Sequence, residues 1–275
     1  MTEFSVFEQL ALWNPNPADH PVPETASRER GAVYTRCETV EFILDLVGYT
    51  VDRPLHQLTL LEPSFGTGDF LMPVVERLMY SYLRNNTTEH AVTDLRHAIV
   101  AVEIDPFAAA QTVARLEATL TGFGLDREGI VALLGVWLRS GDFLLADVAA
   151  RFDFVVGNPP YVRQELIPEG LMTEYRARFE TIYDRADLYV PFIERGLSLL
   201  APDGVLGYIC ADRWMKNKYG GPLRALVARQ YHLDCYVDMV DTQAFLSEVS
   251  AYPAIFVISR RRKGTTRIAH RPRIE

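Results

Sequence analysis

The sequence predicts an α/β protein with a doubly wound, mostly parallel sheet and an antiparallel pair of strands at one edge. Short apolar strands alternate with amphipathic helices over most of the chain. Two strands near the C-terminal end are instead joined by a loop with no room for a helix. With 48% hydrophobic residues, the 275-residue chain can bury one large core and still carry flanking segments.

Each element follows from a local pattern. Apolar residues at helical spacing over 39–47, ended by Gly48, predict a first helix. The other predicted helices are 70–85, 106–120 and 188–200. Short apolar runs predict strands at 58–61, 97–102, 152–156 and 205–209, and an antiparallel pair at 237–240 and 254–258. Residues 1–30 are predicted to be irregular because four prolines fall between Pro15 and Pro23.

Composition excludes several classes of protein. The three cysteines, Cys37, Cys210 and Cys235, are scattered and lack the spacing of a zinc site or a disulfide framework. No apolar run approaches the roughly 18 residues that a membrane span requires, and the first residues lack the basic-then-apolar pattern of a signal peptide. We therefore expect a cytoplasmic protein with reduced thiols, no bound metal and no membrane partner.

Two strand ends carry the pattern of a nucleoside site. The first strand continues into the segment Leu61–Phe70, in which Gly66 and Gly68 allow a tight turn and a close approach to a ligand. Glu103 ends the second strand, where a carboxylate can accept hydrogen bonds from ribose hydroxyls. Neither feature is specific alone. Together they favour a nucleoside cofactor, and the absence of a phosphate-binding loop favours one without a pyrophosphate.

The third strand leads into Asn158-Pro159-Pro160-Tyr161, which carries the chemistry. Two prolines stiffen the turn and remove two backbone donors, so its carbonyl groups are held in fixed directions. The side-chain oxygen of Asn158 and a neighbouring carbonyl can accept both protons of an –NH2 group, and this frees the nitrogen lone pair for attack. Tyr161 offers a flat face on which an aromatic ring can stack. The turn therefore predicts methylation of an amino group on a flat substrate.

In this order the motifs resemble the catalytic domain of the adenine-N6 DNA methyltransferases of restriction–modification systems, the gamma-type branch in which the cofactor motif precedes the catalytic one. The resemblance runs from Gly31 to Arg260 and implies a Rossmann-like, seven-stranded fold that binds S-adenosyl-L-methionine. It implies a catalytic set of Asn158, Pro159, Pro160, Tyr161 and Phe245, with Tyr252 as an alternative to Phe245. It implies a cofactor site of Tyr34, Thr35, Glu62, Ser64, Gly66, Gly68, Asp69, Phe70, Glu103, Ile104, Asp142, Phe143, Asn158 and Pro160.

The same resemblance extends to the pocket walls and the substrate. Asp187–Tyr189 and Phe192 resemble a helix motif that closes over the pocket, and Asp212–Gly220 resembles the loop after the next strand. The implied substrate is an adenine rotated out of double-stranded DNA, since its N6 cannot be reached within the base stack.

Domain organisation and charge raise the question of how DNA is held. We expect an irregular segment at 1–30, a catalytic domain at 31–260, and at 261–275 a basic tail or a linker to an absent target-recognition domain. The net charge is −8, but Arg260–Glu275 contains seven basic residues against one acidic residue. Since bulk charge opposes binding to phosphates, a local basic strip, a target-recognition domain or subunit, or a cognate endonuclease is expected to contribute.

Three alternatives remain open at this stage. A protein glutamine-N5 methyltransferase uses the same Asn-Pro-Pro-Tyr turn, because a side-chain amide presents the same –NH2 group. An RNA adenine methyltransferase would share both motifs. A non-catalytic subunit that only recognises DNA would belong to a different class, and the intact Asn158–Tyr161 turn argues against it.

Overall fold

The computed structural model describes residues 35–148, 150–245 and 252–274. The irregular segment predicted at 1–30 lies outside the described residues, as do Gly31, where the resemblance begins, and the predicted cofactor residue Tyr34. Eight strands belong to one sheet: β1 (Leu60–Glu62), β2 (Ile99–Glu103), β3 (Leu138–Ser140), β4 (Phe152–Gly157), β5 (Leu200–Ala211), β6 (His232–Asp238), β7 (Pro253–Ser259) and β8 (Arg267–His270).

Nine α-helices connect and cover these strands within the described ranges. They are α1 (Cys37–Val47), α2 (Leu71–Leu83), α3 (Ala91–Leu95), α4 (Pro106–Gly122), α5 (Arg127–Trp137), α6 (Glu169–Arg178), α7 (Tyr189–Ser198), α8 (Arg213–Lys216) and α9 (Gly221–Gln230). Helix α4 begins where Asp105 caps it, since its carboxylate accepts from the backbone N–H of Phe107 at 2.9 Å.

The strand order is β3-β2-β1-β4-β5-β7-β6-β8. Strands β1 to β5 pair in parallel, whereas β7 runs antiparallel to both β5 and β6. The chain moves outwards from β1 to β2 and β3 and then returns to β4 on the other side of β1. The carboxyl ends of β1 and β4 therefore flank the point at which the order reverses, where open α/β sheets bind ligands.

Helices bury both faces of the sheet, as a doubly wound fold requires. On one face, α1 contributes Val40, Ile43 and Leu44 to a core that α2 extends. On the other face, α7 contributes Val190 and Ile193, and α9 lies beside it in the same core. Strand β1 is buried along its whole length. This central position fixes the loop that follows β1 against rigid neighbours.

The predicted fold class is confirmed, but the number of strands is one more than predicted. The additional strand, β8, lies within the predicted basic tail and pairs in parallel with β6. It has no apolar alternation, and Ile268 is 63% exposed. It forms because β6 offers an open row of backbone hydrogen-bonding groups, which sequence patterning does not reveal. Strand β3 and helices α3, α5, α6, α8 and α9 are likewise not predicted, and α8 lies in the segment Asp212–Gly220 that was expected to be a loop.

Candidate active site

A cleft of about 350 Å³ opens at the carboxyl ends of β1, β2 and β4. Most of the residues predicted to bind a cofactor line it: Thr35, Glu62, Ser64, Gly66, Asp69, Phe70, Glu103, Ile104, Asp142, Phe143, Asn158 and Pro160. Of the others, Tyr34 lies outside the described residues and Gly68 does not line the cleft. The fold thus brings together residues from five separate segments of the chain.

Gly68 lies on the side of the loop after β1 that faces α4. Its φ of +90° is in the left-handed region, and a Cβ atom there would lie 3.0 Å from Cγ2 of Thr112 in α4. Gly66, with φ of +50°, has open space at the same position. The hydroxyl of Thr112 also donates to the Gly66 carbonyl at 2.8 Å. Gly66 therefore leaves room on the cleft side, and Gly68 lets α4 approach the loop closely.

Three backbone N–H groups hold the Glu103 carboxylate in place. Its Oε2 accepts from Gly66 at 2.7 Å, and its Oε1 accepts from Ile104 at 2.9 Å and Asp105 at 2.8 Å. The side chain is buried, and this burial raises the carboxyl pKa while the N–H groups oppose the shift. The carboxylate joins the ends of β1 and β2, and its Oε2 atom retains a lone pair for a ligand hydroxyl.

Two further carboxyl groups give this end of the cleft its electrostatic character. Glu62 is 1% exposed, and within the described residues its Oε2 has no hydrogen-bond partner. Burial raises its pKa well above the usual range, and the neighbouring Asp69 and Glu103 raise it further. Burial also raises the pKa of Asp69, although Arg115 and the N–H of Thr35 oppose this. Since like charges are crowded here away from water, the site suits a cationic ligand group.

Thr35 connects the loop after β1 to the turn after β4. Its backbone N–H donates to Oδ2 of Asp69 at 3.1 Å, and its hydroxyl accepts from Nδ2 of Asn158 at 3.2 Å. Ser64 adds a second link, because its hydroxyl donates to the Asn158 carbonyl at 3.4 Å. The Thr35 contact orients the side-chain amide of Asn158 with its nitrogen towards Thr35, and the Ser64 contact holds the backbone of the turn.

The aromatic residues of the catalytic turn lie in a cluster beside the cleft. The Tyr161 ring contacts Phe245 edge to face, with 6.4 Å between ring centroids, and is tilted against Tyr189 at the same separation. Phe245 is fixed by a β-bridge to Thr35. The alternative, Tyr252, is 56% exposed and lies beyond the segment 246–251, which is outside the described residues. The structure therefore brings Phe245 into aromatic contact with Tyr161.

A second cavity of about 560 Å³ opens next to Tyr161. It carries three arginines and two carboxylates, and its lining residues are Tyr161, Arg163, Glu165, Leu166, Arg185, Asp187, Arg213, Asn217 and Tyr219. Asp187 is half-buried, and burial raises its carboxyl pKa while Arg213 and Arg163 lower it. This cavity is distinct from the first cleft. Residues of the catalytic turn line both: Asn158 and Pro160 line the cleft, and Tyr161 lines this cavity.

The sequence prediction missed one wall of the first cleft. Ile167, Leu171 and Tyr175 line it, together with Leu166 and Pro168. The signal that could have found two of them is the spacing of four residues, which places Leu171 and Tyr175 on one side of α6. Ile167 and Pro168 precede this helix, and the otherwise polar sequence of α6 masks the pattern. Among the described residues, no cluster of His, Cys, Asp or Glu could hold a metal ion, and no helix could span a membrane.

Known proteins share the motifs and the fold. Residues 137–245 match the family model of the Eco57I restriction-modification methylase. The chain is 59% identical over 248 residues to the type II methyltransferase M.PaeR7I of Pseudomonas aeruginosa, which covers 90% of this chain and 43% of that protein. It is 54% identical over 252 residues to M.XhoI of Xanthomonas vasicola, covering 90% of this chain and 46% of that protein. The chain thus spans less than half the length of either relative.

The fold is also shared with a solved structure. A Listeria monocytogenes protein assigned to the class I S-adenosylmethionine-dependent methyltransferases superposes with a TM-score of 0.60 at 15% identity. The match covers 96% of this chain and 72% of that protein. At this identity the likeness concerns the fold. The match of residues 137–245 to the family model, with identities of 59% and 54% over 90% of this chain, shows that the chain is homologous to restriction–modification methylases of the Eco57I type.

Proposed function

We propose that this chain is the catalytic part of a site-specific DNA methyltransferase of a restriction–modification or related defence system. It transfers a methyl group from S-adenosyl-L-methionine to N6 of an adenine rotated out of double-stranded DNA. The observation that carries the proposal is the Asn158–Tyr161 turn, whose amide is oriented by Thr35 and whose aromatic ring lies against Phe245, directly beside an acidic cleft.

The cleft fits S-adenosyl-L-methionine group by group. The Oε2 atom of Glu103 can accept from a ribose hydroxyl, and we assign Asp142 and Phe143, which line the same cleft, to the cofactor's adenine. The crowded carboxyl groups of Glu62 and Asp69 fit the ammonium group and the positive charge of the sulfonium. When bound, the cofactor supplies an activated methyl group on that sulfur.

The chain's own residues then position the substrate. Asn158 Oδ1 and the Pro159 carbonyl accept the two amino protons of the target adenine, so the nitrogen lone pair points at the methyl group. Pro159 and Pro160 offer no N–H that could compete for these acceptors. Tyr161 stacks on the extruded base and Phe245 supports it. Catalysis of this kind is chiefly positioning, which contributes up to ~7–11 kcal/mol in well-aligned cases.

The second cavity supports a nucleic-acid substrate. Arg163, Arg185 and Arg213 surround the space next to Tyr161. Between Arg213 and Arg229 the chain has five basic residues and no acidic one. We propose that these basic residues neutralise phosphates near the extruded nucleotide. Because the relatives are more than twice as long as the matched part, we propose that a further target-recognition region, on the same chain or on a partner, reads the DNA sequence. We place this activity in the cytoplasm.

The proposal is tested by offering unmethylated DNA, RNA and a release factor in parallel, with cofactor labelled on the methyl group. Label in N6-methyladenine of the DNA is the expected result. Label in RNA adenine or in a protein glutamine would favour the corresponding alternative. Cofactor binding without transfer to any of the three would favour the non-catalytic subunit.

We expect Glu62→Gln to stabilise the ligand-free protein at neutral pH and to weaken cofactor binding. A carboxyl group whose folded pKa is raised takes up a proton on folding, so stability falls as pH rises from its ordinary pKa to the raised value. Glutamine does not ionise, so the variant avoids this loss of stability. The melting temperature should rise at pH 7.5, by about 2–4 °C for each kcal/mol gained in the free energy of unfolding. At pH 4.5 it should change less.

The same residue should couple cofactor binding to proton release. A bound cation favours ionised Glu62, so wild-type affinity should rise with pH until the ligand-free group has ionised, whereas the glutamine variant should respond less. Calorimetry in two buffers of different ionisation enthalpy measures the released proton. Glu89→Gln, at an exposed site, is the matched control. An unchanged affinity for cofactor in Glu62→Gln would contradict this role.

A further inference from the structure

The turn after β3, which carries Asp142 and Phe143, is held by two helices. The Asp142 Oδ1 atom accepts from the backbone N–H of Leu144 at 2.9 Å, and its Oδ2 accepts from the Tyr175 hydroxyl at 2.5 Å. From α7, Arg195 donates to the Leu144 carbonyl at 2.8 Å, and its guanidinium lies 5.1 Å from the centroid of the Phe143 ring. The carboxylate of Asp142 is therefore fixed by one contact from its own turn and one from α6.

Tyr175 is placed to act on a ligand through this contact. It is 3% exposed, lines the cleft, and shares its side of α6 with Leu171. A phenol hydroxyl bound to an ionised carboxylate is a charge-assisted hydrogen bond and is stronger than a neutral one. Burial, and then the bond to Asp142, raises the pKa of Tyr175, so the hydroxyl keeps its proton and the bond persists at working pH. The torsion that turns a free Asp carboxylate is broad.

We propose that Tyr175 is a cofactor-positioning residue: its hydroxyl holds the Asp142 carboxylate in the orientation that accepts the exocyclic amino group of the cofactor's adenine. The inference rests on the proposed function, because it assumes that the cleft binds S-adenosyl-L-methionine. Each Asp142 oxygen keeps acceptor capacity after its present bond, so the amino group adds a contact without displacing one. Leu171 and Ile167 supply the apolar wall beside the purine.

The test compares the binding of two ligands by calorimetry: S-adenosylhomocysteine and its analogue with hydrogen in place of the 6-amino group. The wild type should prefer the amino form. Tyr175→Phe should weaken binding of the amino form about tenfold or more, the lower end of the loss expected for one hydrogen bond to a charged group. Binding of the analogue should stay within about twofold. Tyr183→Phe makes the same chemical change at an exposed site of the same segment and should alter neither.

Asp142→Ala provides the second variant, because alanine has no side-chain oxygen that could accept from the amino group. It should lose the preference for the amino form, and adding Tyr175→Phe to it should have little further effect, because the two residues act as one unit. Equal weakening of both ligands by Tyr175→Phe would mean that the residue only supports the packing of α6, and the inference would be wrong. Unchanged binding of both would overturn it as well. If the wild type bound neither ligand, the proposed function itself would fail.

Discussion

Asn158→Ala is expected to reduce methyl transfer at least about a thousand-fold, while the affinity for S-adenosylhomocysteine changes less than about tenfold. The large loss follows because a positioned acceptor acts only on the amino group in the transition state, and removal of one such group typically slows an enzyme 10²–10³-fold. Loss of the orienting contact with Thr35 adds to this. Single-turnover transfer from labelled cofactor to unmethylated DNA measures the chemical step apart from binding.

Two matched variants separate chemistry from folding. Asn85→Ala removes an exposed amide elsewhere and should transfer methyl groups at the wild-type rate. Thr35→Val keeps Asn158 but removes its hydrogen-bond partner, so we expect an intermediate loss of about tenfold. If Asn158→Ala retained near-normal transfer while binding cofactor, the assignment of this turn as the catalytic site would be wrong.

Glu103→Ala is expected to weaken cofactor binding about a hundred-fold or more. The substitution removes the acceptor for the ribose hydroxyls, and hydrogen bonds to a charged group contribute about 1.5–3 kcal/mol each. It also releases the N–H groups of Gly66, Ile104 and Asp105 from the carboxylate that now fixes them. Calorimetry with S-adenosylhomocysteine measures the loss directly.

The kinetic pattern should differ from that of Asn158→Ala. Since Glu103 does not belong to the catalytic turn, transfer at saturating cofactor should recover to within about tenfold of the wild type, so the effect falls mainly on KM. Glu89→Ala, on the surface, is the control. A normal KM for cofactor in Glu103→Ala would show that the ribose binds elsewhere.

The sequence predicted the fold class because its cause is local. Apolar runs and helical spacing reveal elements such as β4 and α4, and alternation of the two dictates a parallel sheet with helices on both faces. The sequence does not predict the weaker elements, and the reason is physical. Helix α6 is largely polar, and Tyr175 connects it to the rest of the site by donating to Asp142. Strand β8 depends on the open edge of β6. Neither cause can be read from a short stretch of sequence.

By itself, the sequence determined which chemical groups this protein presents: an amide and a tyrosine on a proline-stiffened turn, two glycines after the first strand, and a carboxylate at the end of the second. These residues act through their own side chains and backbone, so their type and spacing along the chain suffice. Only the tertiary structure decided that Thr35 joins Asp69 to Asn158, that Phe245 lies against Tyr161, and that Tyr175 holds Asp142. Each of these pairs is far apart in sequence, and such contacts are fixed by how the sheet and its helices pack.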